Sequence, residues 1–116
     1  MAYDERLADR IRRVLARRKA MTEKKMFGGI AFMLRGHMCC GILKDNLVVR
    51  VGPERYQEAL VRPHARPMEF FPHHPKKGFV FVSPGGYRTD KTLADWVQRG
   101  VQFTLSLPAK RGGASS

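Results

Sequence analysis

Residues 26–51 read MFGGIAFMLRGHMCCGILKDNLVVRV, and this stretch decides the fold. It holds three apolar runs: Ile30-Ala31-Phe32-Met33-Leu34, then residues 38–43, then Leu47-Val48-Val49-Arg50-Val51. Two turn signals separate them. Arg35-Gly36-His37 is the first, since glycine reaches positive φ at little cost, and Lys44-Asp45-Asn46 is the second. Short apolar runs joined by such turns, the last rich in β-branched residues, predict an antiparallel meander of three strands. The paired glycines Gly28 and Gly29 predict a bulge, or a point where another backbone comes close.

Toward the N-terminus, residues 4–19 predict a helix. Leu7, Ile11, Val14 and Leu15 form one apolar face. Asp4 and Glu5 in the first turn, and Arg17, Arg18 and Lys19 in the last, suit the helix dipole. Toward the C-terminus, Gly52-Pro53-Glu54 opens a short helix with Tyr56, Ala59 and Leu60 on one face, and Arg62-Pro63 ends it. Two further strands are predicted around residues 68–71 and 79–82. Between them lies the polar loop Pro72-His73-His74-Pro75-Lys76-Lys77-Gly78. After the turn Ser83-Pro84-Gly85-Gly86, a last helix starts at Thr89 or Asp90 and carries Leu93, Trp96, Val97, Val101 and Leu105 at helical spacing. Gly100 inside that helix costs about 1 kcal/mol against alanine, which predicts tight packing on the sheet there. Pro108 stops the helix. The order is α, three strands, α, two strands, α. This is an α+β fold of two layers with a mainly antiparallel twisted sheet. Residues 1–108 read as a single domain and 109–116 as a disordered tail.

Several stretches resemble a known family. They are Met26-Phe27-Gly28-Gly29-Ile30-Ala31-Phe32-Met33, Gly36-His37-Met38-Cys39-Cys40-Gly41, Arg50-Val51-Gly52, Pro63-His64-Ala65-Arg66-Pro67-Met68, Lys77-Gly78-Phe79-Val80 and Leu93-Ala94-Asp95-Trp96-Val97. In that order and spacing the chain is similar to the TfoX (Sxy) amino-terminal domain, standing alone. The resemblance implies a twisted sheet with helices like that of secretion-chaperone folds. It also implies a regulatory role: named members regulate natural competence and help a cyclic-AMP receptor protein to switch on genes. It brings no catalytic residue set.

Bulk properties narrow the classes further. A chain of 116 residues fits one domain with one modest core. Its net charge of +12 favours polyanionic partners such as nucleic acid or an acidic protein face. The two cysteines, Cys39 and Cys40, are strand neighbours expected on opposite faces, poorly placed to bond each other. That favours a reducing compartment. The charged N-terminus shows no signal peptide, and no stretch reaches the roughly 18 apolar residues of a membrane helix. The expected location is the cytoplasm.

Candidate sites follow from residue type and spacing. Arg6, Arg10, Arg13 and Arg17 fall at i, i+4, i+7 and i+11, one helix face whose guanidinium forks suit phosphate. The ordinary alternative is a solvated face opposite the apolar stripe. A protein partner predicts exposed apolar surface on the 26–38 hairpin, with Phe27, Gly28, Gly29, Phe32 and His37 as contacts. Otherwise Met26, Met33 and Met38, with Trp96 and Phe103, read as core. A metal site from His37, Cys39, Cys40, His73 and His74 matches no zinc spacing. His37 and Cys39 share a strand face, but a thiol nucleophile also needs an orienting group and an oxyanion site, and neither is visible. Neither Gly28-Gly29 nor Gly85-Gly86 fits a phosphate-loop pattern. The expectation is a non-enzymatic regulatory binding module without a cofactor. Protein docking comes first, nucleic-acid binding second, and a homodimer through the sheet edges is a further option.

Overall fold

The computed structural model describes residues 3–26, 28–69 and 75–108. The expected tail, the residue Phe27 and the His73-His74 pair lie outside these. The elements are α1 (Glu5–Val14), β1 (Met21–Met26), β2 (Gly29–Leu34), β3 (His37–Leu43), β4 (Asn46–Arg50), α2 (Tyr56–Leu60), β5 (Ala65–Glu69), β6 (Pro75–Val82), a 3-10 turn (Pro84–Tyr87) and α3 (Asp90–Leu105). The strands form one sheet in the order β1-β2-β3-β4-β6-β5, and every neighbouring pair is antiparallel.

The α+β class and the meander are present, with one strand more than the three-plus-two reading. The added strand, β1, has the sequence MTEKKM, and Thr22, Glu23, Lys24 and Lys25 are all exposed. It lacks the apolar alternation that marks a half-buried strand, and it forms because all six of its residues pair with β2. Lysines on an edge strand also discourage pairing with another chain.

Two neighbouring cross-strand rows define the sheet's faces, since directly paired residues point the same way. One row runs Glu23, Phe32, Cys40, Val49, Val80, Pro67, and the next runs Lys24, Ala31, Gly41, Val48, Phe81, Arg66. Phe32, Cys40, Val49 and Val80 of the first row form one buried cluster with Leu7 and Ile11 of α1 and Leu93, Val97 and Val101 of α3. Helices therefore cover this face. Each side chain fully buried there contributes roughly 1.5–3 kcal/mol.

Gly100 shows how closely α3 lies on β3. A Cβ there would stand 2.3 Å from the Cys39 carbonyl oxygen, so the tight packing expected at this glycine is found. The sheet changes register between Phe32 and Met33, where Phe32 faces Cys40 and Met33 faces Met38. Cys39 is the extra residue. This bulge corrects the expectation that strand alternation sends the two cysteines to opposite faces: both are fully buried in the helix-side core. Both are free thiols, and the hydrogen bond with Cys39 together with burial pushes the Cys40 thiol well above its usual range.

Helix α1 is shorter than residues 4–19. Asp4 caps it by accepting from the backbone N–H groups of Arg6 (3.0 Å) and Leu7 (3.1 Å), and it ends at a Leu15 C-cap. The cap residue is itself tied down, since its N–H donates to the Lys44 carbonyl at 2.9 Å. Helix α3 opens with the reciprocal Thr89–Thr92 capping box, which agrees with the start expected at Thr89 or Asp90.

Candidate functional site

The face of the sheet opposite the helices carries an apolar groove of about 230 Å³. Strand alternation makes it, because Ala31 and Val48 of the second row point away from the helices. Met26, Met38, Met68 and Phe79 surround them from four strands. Ala31, Val48 and Met68 are at most 5% exposed, yet none of them belongs to the helix-side cluster. Met26, Met33, Met38 and Phe79 remain half-buried. Gly41, between Ala31 and Val48 in the same row, leaves no room for a side chain: a Cβ there would stand 2.6 Å from the Ile30 carbonyl oxygen and 3.0 Å from the Met38 methyl.

Basic residues flank the groove. Lys24 and Arg66 occupy the two ends of the second row, and both are exposed. Arg66 is held by the Ser83 hydroxyl at 2.8 Å and the Asn46 side-chain oxygen at 3.0 Å, with its guanidinium over the Phe81 ring. Arg50 lies over both Phe79 and Phe103, at 5.4 and 5.2 Å from the ring centroids. Burial lowers its pKa, which is the expected direction for a cation taken out of water.

The residues expected to meet a partner are scattered by the structure. Gly29 lines the groove. Gly28 is exposed at φ +78, and Phe27 lies outside the described residues. Phe32 is 1% exposed beneath the helices, out of reach of any partner. His37 is half-buried on the helix side, where its Nε2 meets the Pro108 carbonyl oxygen at 2.6 Å. The imidazole is thus engaged far along the chain rather than with Cys39. Among the described residues no three of His, Cys, Asp and Glu gather where they could hold a metal ion.

Of the four arginines, Arg6, Arg10 and Arg13 share a face of α1, and Arg17 does not extend it. Arg6, Arg13 and Arg17 are exposed, but Arg17 lies beyond the end of α1. Arg10 is drawn inward: it donates to the Arg88 carbonyl at 3.2 Å, stands 3.6 Å from the Asp90 carboxylate and lies over the Tyr87 ring. Another arginine of this helix, Arg12, grips both oxygens of Glu23 at 2.7 and 2.9 Å and Asp9 at 2.6 Å. Positions chosen by period alone could not show these commitments, because Glu23 and Asp90 belong to other elements.

An open antiparallel sheet with helices on one face and a methionine-lined groove on the other is an α+β domain with one half-covered side. The chain belongs to the TfoX N-terminal domain family, whose family model matches residues 13–104. Its fold is also similar to the crystal structure of Deinococcus radiodurans protein DR2400, which carries the domain called DUF419. That likeness has a TM-score of 0.61 and 20% identity, over 100% of this chain and 96% of the other. No curated protein matches the chain. Among the described residues no helix is long and apolar enough to cross a membrane.

Proposed function

We propose that this chain is a non-catalytic regulatory module of the cytoplasm that docks a protein partner on the open face of its sheet, in the control of transcription. The observation that carries this reading is the groove lined by Met26, Met38 and Met68. Methionine has three rotatable bonds and a polarizable sulfur, so such a surface moulds itself to apolar side chains of differing shape. Lys24, Arg50 and Arg66 around it, in a chain of net charge +12, select a segment in which acidic residues flank the apolar ones. The family adds a direction, since the TfoX resemblance implies a partner in transcription.

The test begins with a photo-crosslinking residue at position 38, and a second protein carrying it at position 17 as control. A partner trapped only from position 38 is then purified, and its binding is measured by calorimetry. Met38→Lys is expected to lose roughly tenfold or more in affinity while keeping its circular dichroism and melting temperature. Trapping equally from both positions, or unchanged affinity of Met38→Lys, removes the groove from consideration. Duplex DNA is the competing partner. Tight binding of random-sequence DNA at about 50 mM salt, lost steeply by about 200 mM and flattened by Gln at Arg6, Arg13 and Arg17, would put nucleic acid in its place.

A further inference from the structure

A second cavity, of about 250 Å³, lies on the other side of the molecule and shares no lining residue with the groove. It sits between the segment following α2, the 3-10 turn and α3. Three basic side chains from two of these elements meet at it: Arg62 and His64 from the segment after α2, and Arg99 from α3. The Arg99 guanidinium is stacked over the Trp96 ring, 5.4 Å from its centroid. Stacking fixes the plane of the guanidinium while leaving its in-plane N–H donors able to hydrogen-bond.

His64 is held in place from two sides. Its backbone has φ +69, in the left-handed region that few residues other than glycine adopt, and its carbonyl accepts from the Ser83 N–H at 3.0 Å. Its imidazole lies on a floor of bare backbone. A Cβ at Gly85 would stand 2.6 Å from the imidazole Cε1, and one at Gly86 would stand 3.0 Å from the His64 Cβ. The glycine pair that fits no phosphate-loop pattern therefore has a use here: it makes room for the ring. The acidic side chain at the cavity, Asp95, pairs with Lys91 at 3.3 Å. The remaining balance is positive, from the guanidinium groups of Arg62 and Arg99.

We infer that this cavity is an anion site for a phosphate monoester. Two guanidinium forks match a dianion with three terminal oxygens better than a carboxylate, which has two oxygens and one charge. The phosphoryl group comes either from a free phosphate ester or from a phosphorylated side chain of another protein. The site stands independently of the groove and of the partner proposed for it.

Trp96 is the chain's single tryptophan, so its fluorescence reports on this cavity alone. The full chain is titrated at constant ionic strength with inorganic phosphate, phenyl phosphate and a phosphoserine peptide beside its unphosphorylated twin. Calorimetry provides a second readout, because changing Arg99 alters the tryptophan's surroundings. The expected result is saturable binding of the phosphate compounds, weakened roughly tenfold or more in Arg62→Gln and Arg99→Gln and unchanged in Arg17→Gln. Tighter binding of the phosphoserine peptide than of phenyl phosphate identifies a protein side chain as the source. The reverse order identifies a free ester. No saturable binding by either readout overturns the site. So does an equal loss in Arg17→Gln, which would mean diffuse attraction to a basic surface, or equal binding of the unphosphorylated peptide.

Discussion

Val48 and Val49 are neighbours in β4 and almost equally buried, at 2% and 0% exposure, yet they stand in different surroundings. Val49 meets the helices in the main cluster. Val48 lines the groove on the other face, among methionines and Phe79. Burial alone does not separate the two faces. What separates them is the stiffness of the neighbours. The covered face is closed by α3, whose backbone lies directly on β3 at Gly100, while the open face is closed by side chains that can shift. A core of the first kind specifies a structure, and a surface of the second kind can accept a partner.

The largest effect expected from this contrast is at Gly100. A side chain there meets the Cys39 carbonyl at 2.3 Å, and a backbone atom cannot rotate away. Gly100→Val forces α3 off the sheet and is expected to cost about 3 kcal/mol or more. The urea midpoint of the variant measures it. A midpoint within error of the parent would mean that the helix-side layer is as yielding as the groove, and the comparison would collapse.

The valine pair sharpens the comparison directly. Each Val→Ala change removes about 1.6 kcal/mol of transfer free energy, at about 0.8 per methyl-sized group. At Val49 the space left lies under the helices and stays open, adding a cavity cost for a total of about 2–3 kcal/mol. At Val48 the methionines can close over it, which leaves little beyond the transfer loss, a total of about 1.6 kcal/mol. Parallel urea melts give the difference. Equal costs would show that the open face is packed as rigidly as the covered one.

Much of this division is legible in the residue pattern alone. The three runs between 30 and 51, the start of α3 at Thr89 and the tight approach at Gly100 all follow from period, capping and the absence of a side chain. The rest depends on contacts between distant segments. MTEKKM has no strand pattern of its own and takes its shape from β2. Cys39 and Cys40 obey alternation until the bulge opposite Phe32 and Met33 adds a residue. The groove is half legible. The 26–38 hairpin is expected to carry exposed apolar surface, and Met26 and Met38 line the groove, each half-buried. Phe32 belongs to the same hairpin, but a register counted from its neighbour Ala31 puts it on the other face. Met68 comes from β5 and joins only through the fold.

The smallest effect concerns the sheet's edge, where the two faces meet in adjacent residues. Glu23 ends the helix-side row and is gripped by Arg12, while Lys24 ends the open-side row. The pair is two-fifths exposed on each side, so solvent screens it, and Arg12→Gln is expected to cost only about 0.5–1 kcal/mol at neutral pH. Its pH dependence distinguishes it from lost packing. The hydrogen bond from Arg12 lowers the Glu23 pKa below its ordinary 4.5. A carboxylate with a depressed folded pKa contributes stability above the unfolded value and loses it as pH falls through the folded one. The gap between the parent and Arg12→Gln should therefore be full above pH ~4.5 and shrink below it. Lys24→Gln should leave stability unchanged throughout and lower only affinity for an acidic partner. A gap that persists unchanged at pH ~2, where the carboxylate is protonated, would mean that Arg12 acts through packing of its aliphatic stem and not through its charge.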